Sequence, residues 1–573
     1  MSGSDANTEK NRTVYLRLDS NTSRRDFLKK AAAAGLAGSA VVSGVHRTGA
    51  SQTGATPSPM ASPLASSQAS PVTQAGPGQP GGEFVVLGHQ EVSSLSPEDA
   101  DATVHWAVVT QMHDGLYQYD ENYEIQPVLA DSYELSPDGR TYTFRLKQGV
   151  TFHNGDPFSS ADVKYTYDWI MNPDNASTRA GSFELVESVE APDPTTVVVT
   201  TTEPTATFMS SVAPTMIFPA RYHAEVGEEA YKAAPVGTGP FKLREWNAAQ
   251  RTVLERNDTY FRGRPYFDVY RLDVVPEAGG RMAALQTGAA DTSIWPLNAE
   301  DNVTLVESGQ FTSYEWLQSA VNHFPLNNTH PALSDKQVRK AMMHAINRQA
   351  IIDDIFQGQS VLATSNLTPA NQTYYTDQVT QYDYNVETAN QLLDQAGWAM
   401  GGDGIREKDG QKLSFTCVTI TGDTTRRPEA EIVQQWLIEV GIDMQLQEAP
   451  VTTILEQMRA GEMDAALFNW VYGDALEPDA RETLSTDGAN NFTQFSNARV
   501  DELLQAGVRE LDEQARIPIY HEIQQIVAEE VPFLFIMHLS AFTFYNNRIQ
   551  GLPESAVSGD ALLQKAYQYW IEE

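Results

Sequence analysis

The stretch 414–449 constrains what this chain can fold into more than any other. SFTCVTI, residues 414–420, has a strand pattern with Cys417 as a small core residue. Residues 429–440 place apolar groups at helical spacing and stop at Gly441. Ile442, Met444 and Leu446 then alternate as the next strand. Strand, helix and strand in that order imply α/β layers with parallel sheets. The preceding residues extend the pattern. Asn385 opens a helix that Gly397 closes in the position of a left-handed cap. Ser334 and Gln337 have the form of a capping box, followed by Val338, Ala341, Met342, Ala345 and Ile346 as a core stripe. Residues 402–413 read as a hairpin from their Asp-Gly pairs and lack the alternating acids of a calcium loop.

A chain of 573 residues suggests about three to four folding units. Lys and Arg number 39 against 75 Asp and Glu, a formal charge of −36. That field repels nucleic acid and anionic membrane surfaces and leans toward cationic or zwitterionic ligands. The single cysteine, Cys417, rules out an intrachain disulfide and a cysteine-based zinc or iron–sulfur site. No Gly-x-Ser-x-Gly elbow, His-Glu-x-x-His pair or P-loop is present, and the 11 histidines are scattered. Gly237-Thr238-Gly239 lacks the third glycine of a nucleotide loop and leads into Pro240 and Phe241, a strand entry. The expectation is a protein that is not an enzyme and carries no cofactor or metal.

The N-terminus reads as an address. Arg24 and Arg25, with Phe27 and Leu28 close behind, precede the weakly apolar run 31–45. The run is too short to span a membrane, and the arginine pair resembles a twin-arginine export signal. Cleavage is expected near Ala50. No cysteine follows the run to carry a lipid anchor. Residues 51–82 are rich in Ser, Pro, Ala, Gly and Thr and read as a disordered tether, with ordered structure starting near Glu83 and a strand at 84–87.

Beyond a helix read at 106–116, the segment 126–163 holds its own set of signals. Ser136-Pro137-Asp138-Gly139 is a turn between two strands. Tyr142, Phe144 and Leu146 alternate with polar residues as a half-buried strand. Asn154-Gly155-Asp156 is a second turn, and Ser159 with Asp162 forms a capping box for a helix with Val163, Tyr167 and Ile170 on one face. Residues 127–163, PVLADSYELSPDGRTYTFRLKQGVTFHNGDPFSSADV, closely resemble the signature region of the extracellular solute-binding proteins of the dipeptide, oligopeptide and nickel transporter family. PVGTGPFKLREW at 235–246 resembles that family's hinge-proximal strand, and further matches follow at 327–348, 382–398, 464–479 and 497–532.

The resemblance implies an α/β, two-lobed, periplasmic-binding-protein-like fold of type II. Its first lobe is 83–320 with an inserted subdomain at about 123–230. The second lobe is 321–530, and 531–573 returns to the first. Crossings between lobes are expected at 317–327 and 531–538, with a strand at 531–535. The implied role is the exported, monomeric binding component of an ATP-driven (ABC) importer. It would close on a small-molecule ligand and hand it to a membrane permease. A peptide is the first reading. An oligosaccharide, held by aromatic stacking, is the second, and nickel or a nickel chelate the third. A surface adhesion role fits the address but not the two-lobe pattern.

Within 461–479, GEMDAALFNWVYGDALEPD, an apolar run at 465–472 reads as one buried strand that delivers Asp474, Glu477 and Asp479 to an acidic loop. The bland alternative is a core strand and a solvated turn. In peptide-binding relatives an aspartate four residues before a proline takes the ligand's α-ammonium, a position held here by Asp474 ahead of Pro478. The ligand-facing set implied is Asp474, Trp470, Tyr472, Asn469, Trp295 and Asn327. One residue more than in relatives separates Trp470 from Asp474. No arginine stands out by resemblance as the partner of a peptide carboxylate.

Overall fold

Two long strands, Phe311–Pro325 and Phe533–Asn546, run antiparallel and tie the molecule together. This computed structural model describes residues 80–572, except 101, 295–296, 424 and 474–476. The export signal, nearly all of the tether, Trp295 and Asp474 therefore lie outside the described residues. One end of the ribbon, with Tyr314 and Tyr545, packs into the first lobe's core beside Phe84, Tyr270 and Leu272. The other end, with Val321, Phe324 and Phe533 to Met537, packs into the second lobe's core with the stripe Val338, Ala341, Met342 and Ala345. The structure is thus two α/β lobes strung on one ribbon. The return strand expected at 531–535 is the 14-residue strand Phe533–Asn546, because it continues through the crossing into the first lobe.

The first lobe is built on Glu83–Gly88, whose unbroken run FVVL buries both of its faces. Phe84 and Val86 join one core, and Val85 and Leu87 the other. This strand pairs in parallel with Val269–Val274 and Thr292–Ser293. Arg251–Arg256 and Phe241–Asn247 then add antiparallel neighbours, so the sheet is mixed rather than parallel throughout. Phe241–Asn247 is the outermost strand of this sheet. The hinge-proximal reading of 235–246 is corrected, since Thr292–Ser293 at the opposite edge is the strand beside the ribbon. A Cβ on Gly237 would come within 2.0 Å of the Met112 carbonyl oxygen, so that glycine serves close backbone packing. The helix read at 106–116 is Thr103–Met112. It stops where His113 turns extended, short of Gly115.

A four-stranded antiparallel sheet with its own core is inserted after this helix. Ala130–Leu135 and Thr141–Leu146 flank the turn at Gly139, which sits at φ 72°. Tyr142, Phe144 and Leu146 point inward as their alternation requires. The Ser159–Asp162 capping box opens Ser160–Met171, with the Ser159 amide donating to the Asp162 carboxylate at 2.9 Å.

In the second lobe Ser414–Ile420 pairs in parallel with Asp443–Ala449, as the strand–helix–strand order requires. Arg426–Glu439 is the crossover helix. Asn385 caps Val386–Gln395 through Thr388 N–H at 2.9 Å, and Gly397 adopts φ 86°. The capping box read at Ser334 is displaced by one residue. Asp335 is the cap of Lys336–Ala345, accepting from the Gln337 amide at 2.8 Å, because a carboxylate one residue nearer the helix takes the donor first.

The run 465–472 is not one strand. Ala465–Ala466 pairs with Ser414–Ile420 in the three-stranded sheet. Phe468–Trp470 pairs with the ribbon strand Phe311–Pro325. The chain changes sheets at Leu467, and the apolar residues on either side of it hide the change because both sheets are buried there.

Candidate functional site

Between the lobes lie two cavities, of about 830 Å³ and about 1140 Å³, that share Ala320, Asn469 and Val471 as wall residues. The smaller lies against the first lobe at Thr292 and Ser293 and the C-terminal segment at Ser558 and Asp560. The larger lies between the inserted subdomain and the second lobe. Ribbon and switching strand both shape their common wall. Between Leu317 and Val321 the ribbon is bulged, with Gln318, Ser319 and Ala320 facing the single residue Leu539. All four residues line the smaller cavity.

Phe468–Trp470 is the last strand of the four-stranded sheet. One edge pairs with the ribbon, Asn322 lying opposite Asn469. Its other edge has no strand partner among the described residues. Asn322 and Asn469 each leave a buried side-chain oxygen without a partner. Arg426 lines the same cavity. Its guanidinium pairs with Asp423, while its buried Nε has no partner. Asp423 also accepts from the amides of Thr425 and Arg426, at 2.9 and 2.7 Å, and these bonds hold its carboxyl below the usual range against the opposing effect of burial. Beneath them Glu429 is fully buried and accepts from Asn322 Nδ2 at 2.9 Å. Burial pushes its carboxyl up to about 7, against the opposing pull of Asn322 and Arg426. The wall therefore brings one guanidinium and the two asparagines to the cleft, polar side chains that suit a polar ligand.

The residues expected to face ligand divide into three groups. Asn469 lines both cavities and Trp470 the larger, where its ring meets Phe492 edge-on at 4.8 Å. Tyr472 and Asn327 line neither cavity. Tyr472 is buried in the second lobe, stacked on Phe533 at 4.4 Å, with its hydroxyl donating to His323 Nε2 at 2.8 Å. Burial pushes His323 down to about 3, so the imidazole is neutral and its Nδ1–H donates to the Val321 carbonyl at 3.1 Å. Asn327 is buried and donates to the Gly461 carbonyl at 3.0 Å, pinning the start of the segment. Asp474 and Trp295 lie outside the described residues. Their neighbours Gly473 and Glu477 line the larger cavity, and Ile294 and Leu297 the smaller. Of the acids read around Asp474, Glu477 is paired with Arg516 at 2.5 Å and Asp479 with Arg481 at 2.8 Å.

Arg426 was absent from the sequence reading, yet a signal for it exists. Arg426 and Arg427 open a helix, where the macrodipole disfavours positive charge. Arg427 pairs along the helix with Glu431, which leaves Arg426 as the one of the two that lines the cavity.

The profile of the bacterial extracellular solute-binding proteins, family 5 Middle, matches residues 124–492. The oligopeptide-binding protein AppA of Bacillus subtilis (strain 168) is 29% identical over 508 residues, covering 86% of this chain and 91% of that protein. The glutathione-binding protein GsiB of Salmonella paratyphi A is 28% identical over 503 residues, covering 83% and 94%. The solved structure of Bacillus subtilis AppA in complex with a nonapeptide superposes with a TM-score of 0.71 at 26% identity, covering 87% of this chain and 100% of that one. The two-lobed fold and its interlobe cleft agree with these likenesses, and the chain belongs to the bacterial extracellular solute-binding proteins of family 5.

Proposed function

We propose that this protein captures an extended peptide between its lobes and presents it to the membrane permease of an ABC importer. The observation that carries the reading is the strand Phe468–Trp470, whose unpaired edge is set on the wall of a large cleft. An extended peptide can add to such an edge through main-chain bonds, which do not depend on side-chain identity. The two adjoining cavities, of about 830 and about 1140 Å³, leave room for an oligomer, and similarity to an oligopeptide-binding and a glutathione-binding protein supports a peptide. Asn469 and Trp470 would contact the ligand, with Arg426 offering its guanidinium to a ligand carboxylate. Asp474 and Trp295 are assigned to the site by family resemblance, Asp474 as the partner of the α-ammonium.

Native mass spectrometry of the purified protein should reveal retained peptide, and calorimetry with a peptide library should give saturable binding. Asp474→Asn should weaken peptides by about 2–5 kcal/mol, the range for breaking a buried charge pair, and N-acetylated peptides should bind the wild type poorly. Tight binding of oligosaccharides with no peptide binding would overturn the reading.

Export is proposed to follow the twin-arginine route, on the strength of Arg24 and Arg25 ahead of a weakly apolar run. Replacing both with lysine should leave the protein in the cytoplasm. Normal appearance of the double variant outside the membrane, followed by cell fractionation, would refute that route.

A further inference from the structure

The first-lobe wall of the smaller cavity carries a carboxylate, in the first turn of the helix Gly559–Gln564, that no basic side chain among the described residues pairs with. Asp560 lies just after Ser558 and Gly559 in the C-terminal segment, and all three line that cavity. The residue is exposed, and the space it faces is the cleft, with protein enclosing it otherwise. Its carboxylate has no ion pair and no hydrogen-bond partner among the described residues. Desolvation by the surrounding cleft walls pushes its carboxyl up to about 6 although the residue faces open space, with no lysine or arginine near enough to oppose the shift. In contrast, Asp423 across the same cavity is ion-paired with Arg426. An indole lies against the neighbouring Gly559. A Cβ on Gly559 would come within 2.9 Å of the Trp316 ring, and Trp316 also lines the cavity. A carboxylate and an indole on one cleft wall are a combination that recognises an ammonium or guanidinium.

We propose that Asp560, with Trp316 on the same cleft wall, is a specificity site for a basic group on the ligand. It makes the protein prefer peptides that carry Lys or Arg in the segment seated in the smaller cavity. This rests on the peptide reading above. It is separate from the α-ammonium contact assigned to Asp474, because Asp560 comes from the other lobe and the chain's C-terminal segment. A carboxylate enclosed as the lobes close is costly without a counter-charge, and the ligand supplies one. The overall charge of −36 draws basic ligands toward the cleft in the first place.

The test is calorimetry on the full chain with matched peptides that differ only by lysine or norleucine, which share a stem but not the charge. The lysine is walked through each position. At one position the lysine peptide should bind wild type about tenfold tighter or more, as a buried charge contact would give. In Asp560→Asn the ratio between the paired peptides should collapse toward one, whatever happens to the absolute affinity. Asp560→Glu should keep lysine favoured. Thermal melting checks that each variant is folded. If Asp560→Asn does not fold, wild type and Asp560→Glu still decide by whether lysine is favoured. No lysine preference at any position in wild type, or a preference undiminished in a folded Asp560→Asn, overturns the assignment. If no peptide of either series binds, the peptide reading fails. The site is then judged on free lysine, agmatine and spermidine. Binding lost in Asp560→Asn supports it, and no binding of any of them overturns it.

Discussion

At the floor of the cleft, Glu429 is a single side chain whose protonation the fold controls. Its carboxyl is raised from 4.5 to about 7 because burial disfavours the charged form more than Asn322 and Arg426 favour it. The folded state therefore binds its proton more tightly than the unfolded chain does. Its contribution to stability is full below about pH 4.5 and is lost as pH rises through 7. A shift of that size corresponds to about 3 kcal/mol. Glu429→Gln keeps the shape and an oxygen to accept from Asn322. It should match wild type near pH 4.5 in urea unfolding and exceed it by about 2–3 kcal/mol at pH 8. A gap that does not change with pH would show that the proton is not linked to folding. Nothing in the sequence marks this residue, since a Glu in the first turn of a helix reads as an ordinary favourable partner of the macrodipole. Only the tertiary packing around it makes it a buried acid.

Among the elements, the strand Phe468–Trp470 has the clearest consequence. If a peptide pairs with its open edge, the bonds lost on N-methylating the peptide backbone should be costly at alternate positions only, since a strand presents its groups to each side in turn. Each methyl that removes a pairing N–H should weaken binding by about tenfold, whereas methyls pointing away should have little effect. A uniform effect along the peptide, read by calorimetry, would exclude pairing of this kind. Local chemistry made much at this scale legible. The Ser159–Asp162 box, the turn at Gly139, the Asn385 cap and the stripe from Val338 to Ala345 all form from residues near one another in the chain. The split of 465–472 was not legible, because no turn residue separates the two halves and each is defined by the distant strand it meets.

For the whole molecule, the ribbon and the cleft mouth set the motion. The lobes are strung on Phe311–Pro325 and Phe533–Asn546, and the bulge at Gln318 to Ala320 is where that ribbon is least regular. The inserted subdomain also meets the second lobe directly. Ala206 N–H donates to the Val508 carbonyl at 2.8 Å, and Arg509 pairs with Glu203 at 2.8 Å. Leu511 lies against Gly139. The ion pair is half-exposed and worth at most about 1 kcal/mol, so these contacts alone hold closure weakly and the ligand must supply the rest. Small-angle scattering should therefore give a smaller radius of gyration with saturating ligand than without it. Arg509→Ala should widen that difference by opening the empty form. An unchanged radius at saturation would count against closure.

The sequence by itself determined the local elements, the α/β class and, through resemblance, the family, because caps, turns and hydrophobic periods act over a few residues and are written where they act. It placed Asn469 and Trp470 at the cleft, but it set Tyr472 and Asn327 beside them although both are held in the second-lobe core. Tyr472 and Asn327 lie just past the ends of the strands Phe468–Trp470 and Phe311–Pro325, and where the chain turns there is set by distant partners, His323 and Phe533 for Tyr472 and Gly461 for Asn327. Tertiary structure alone brought Arg426, Asn322 and Asp560 to one cavity from the second lobe, the ribbon and the C-terminal segment. Their meeting is a property of long-range pairing, and no window along the chain contains it.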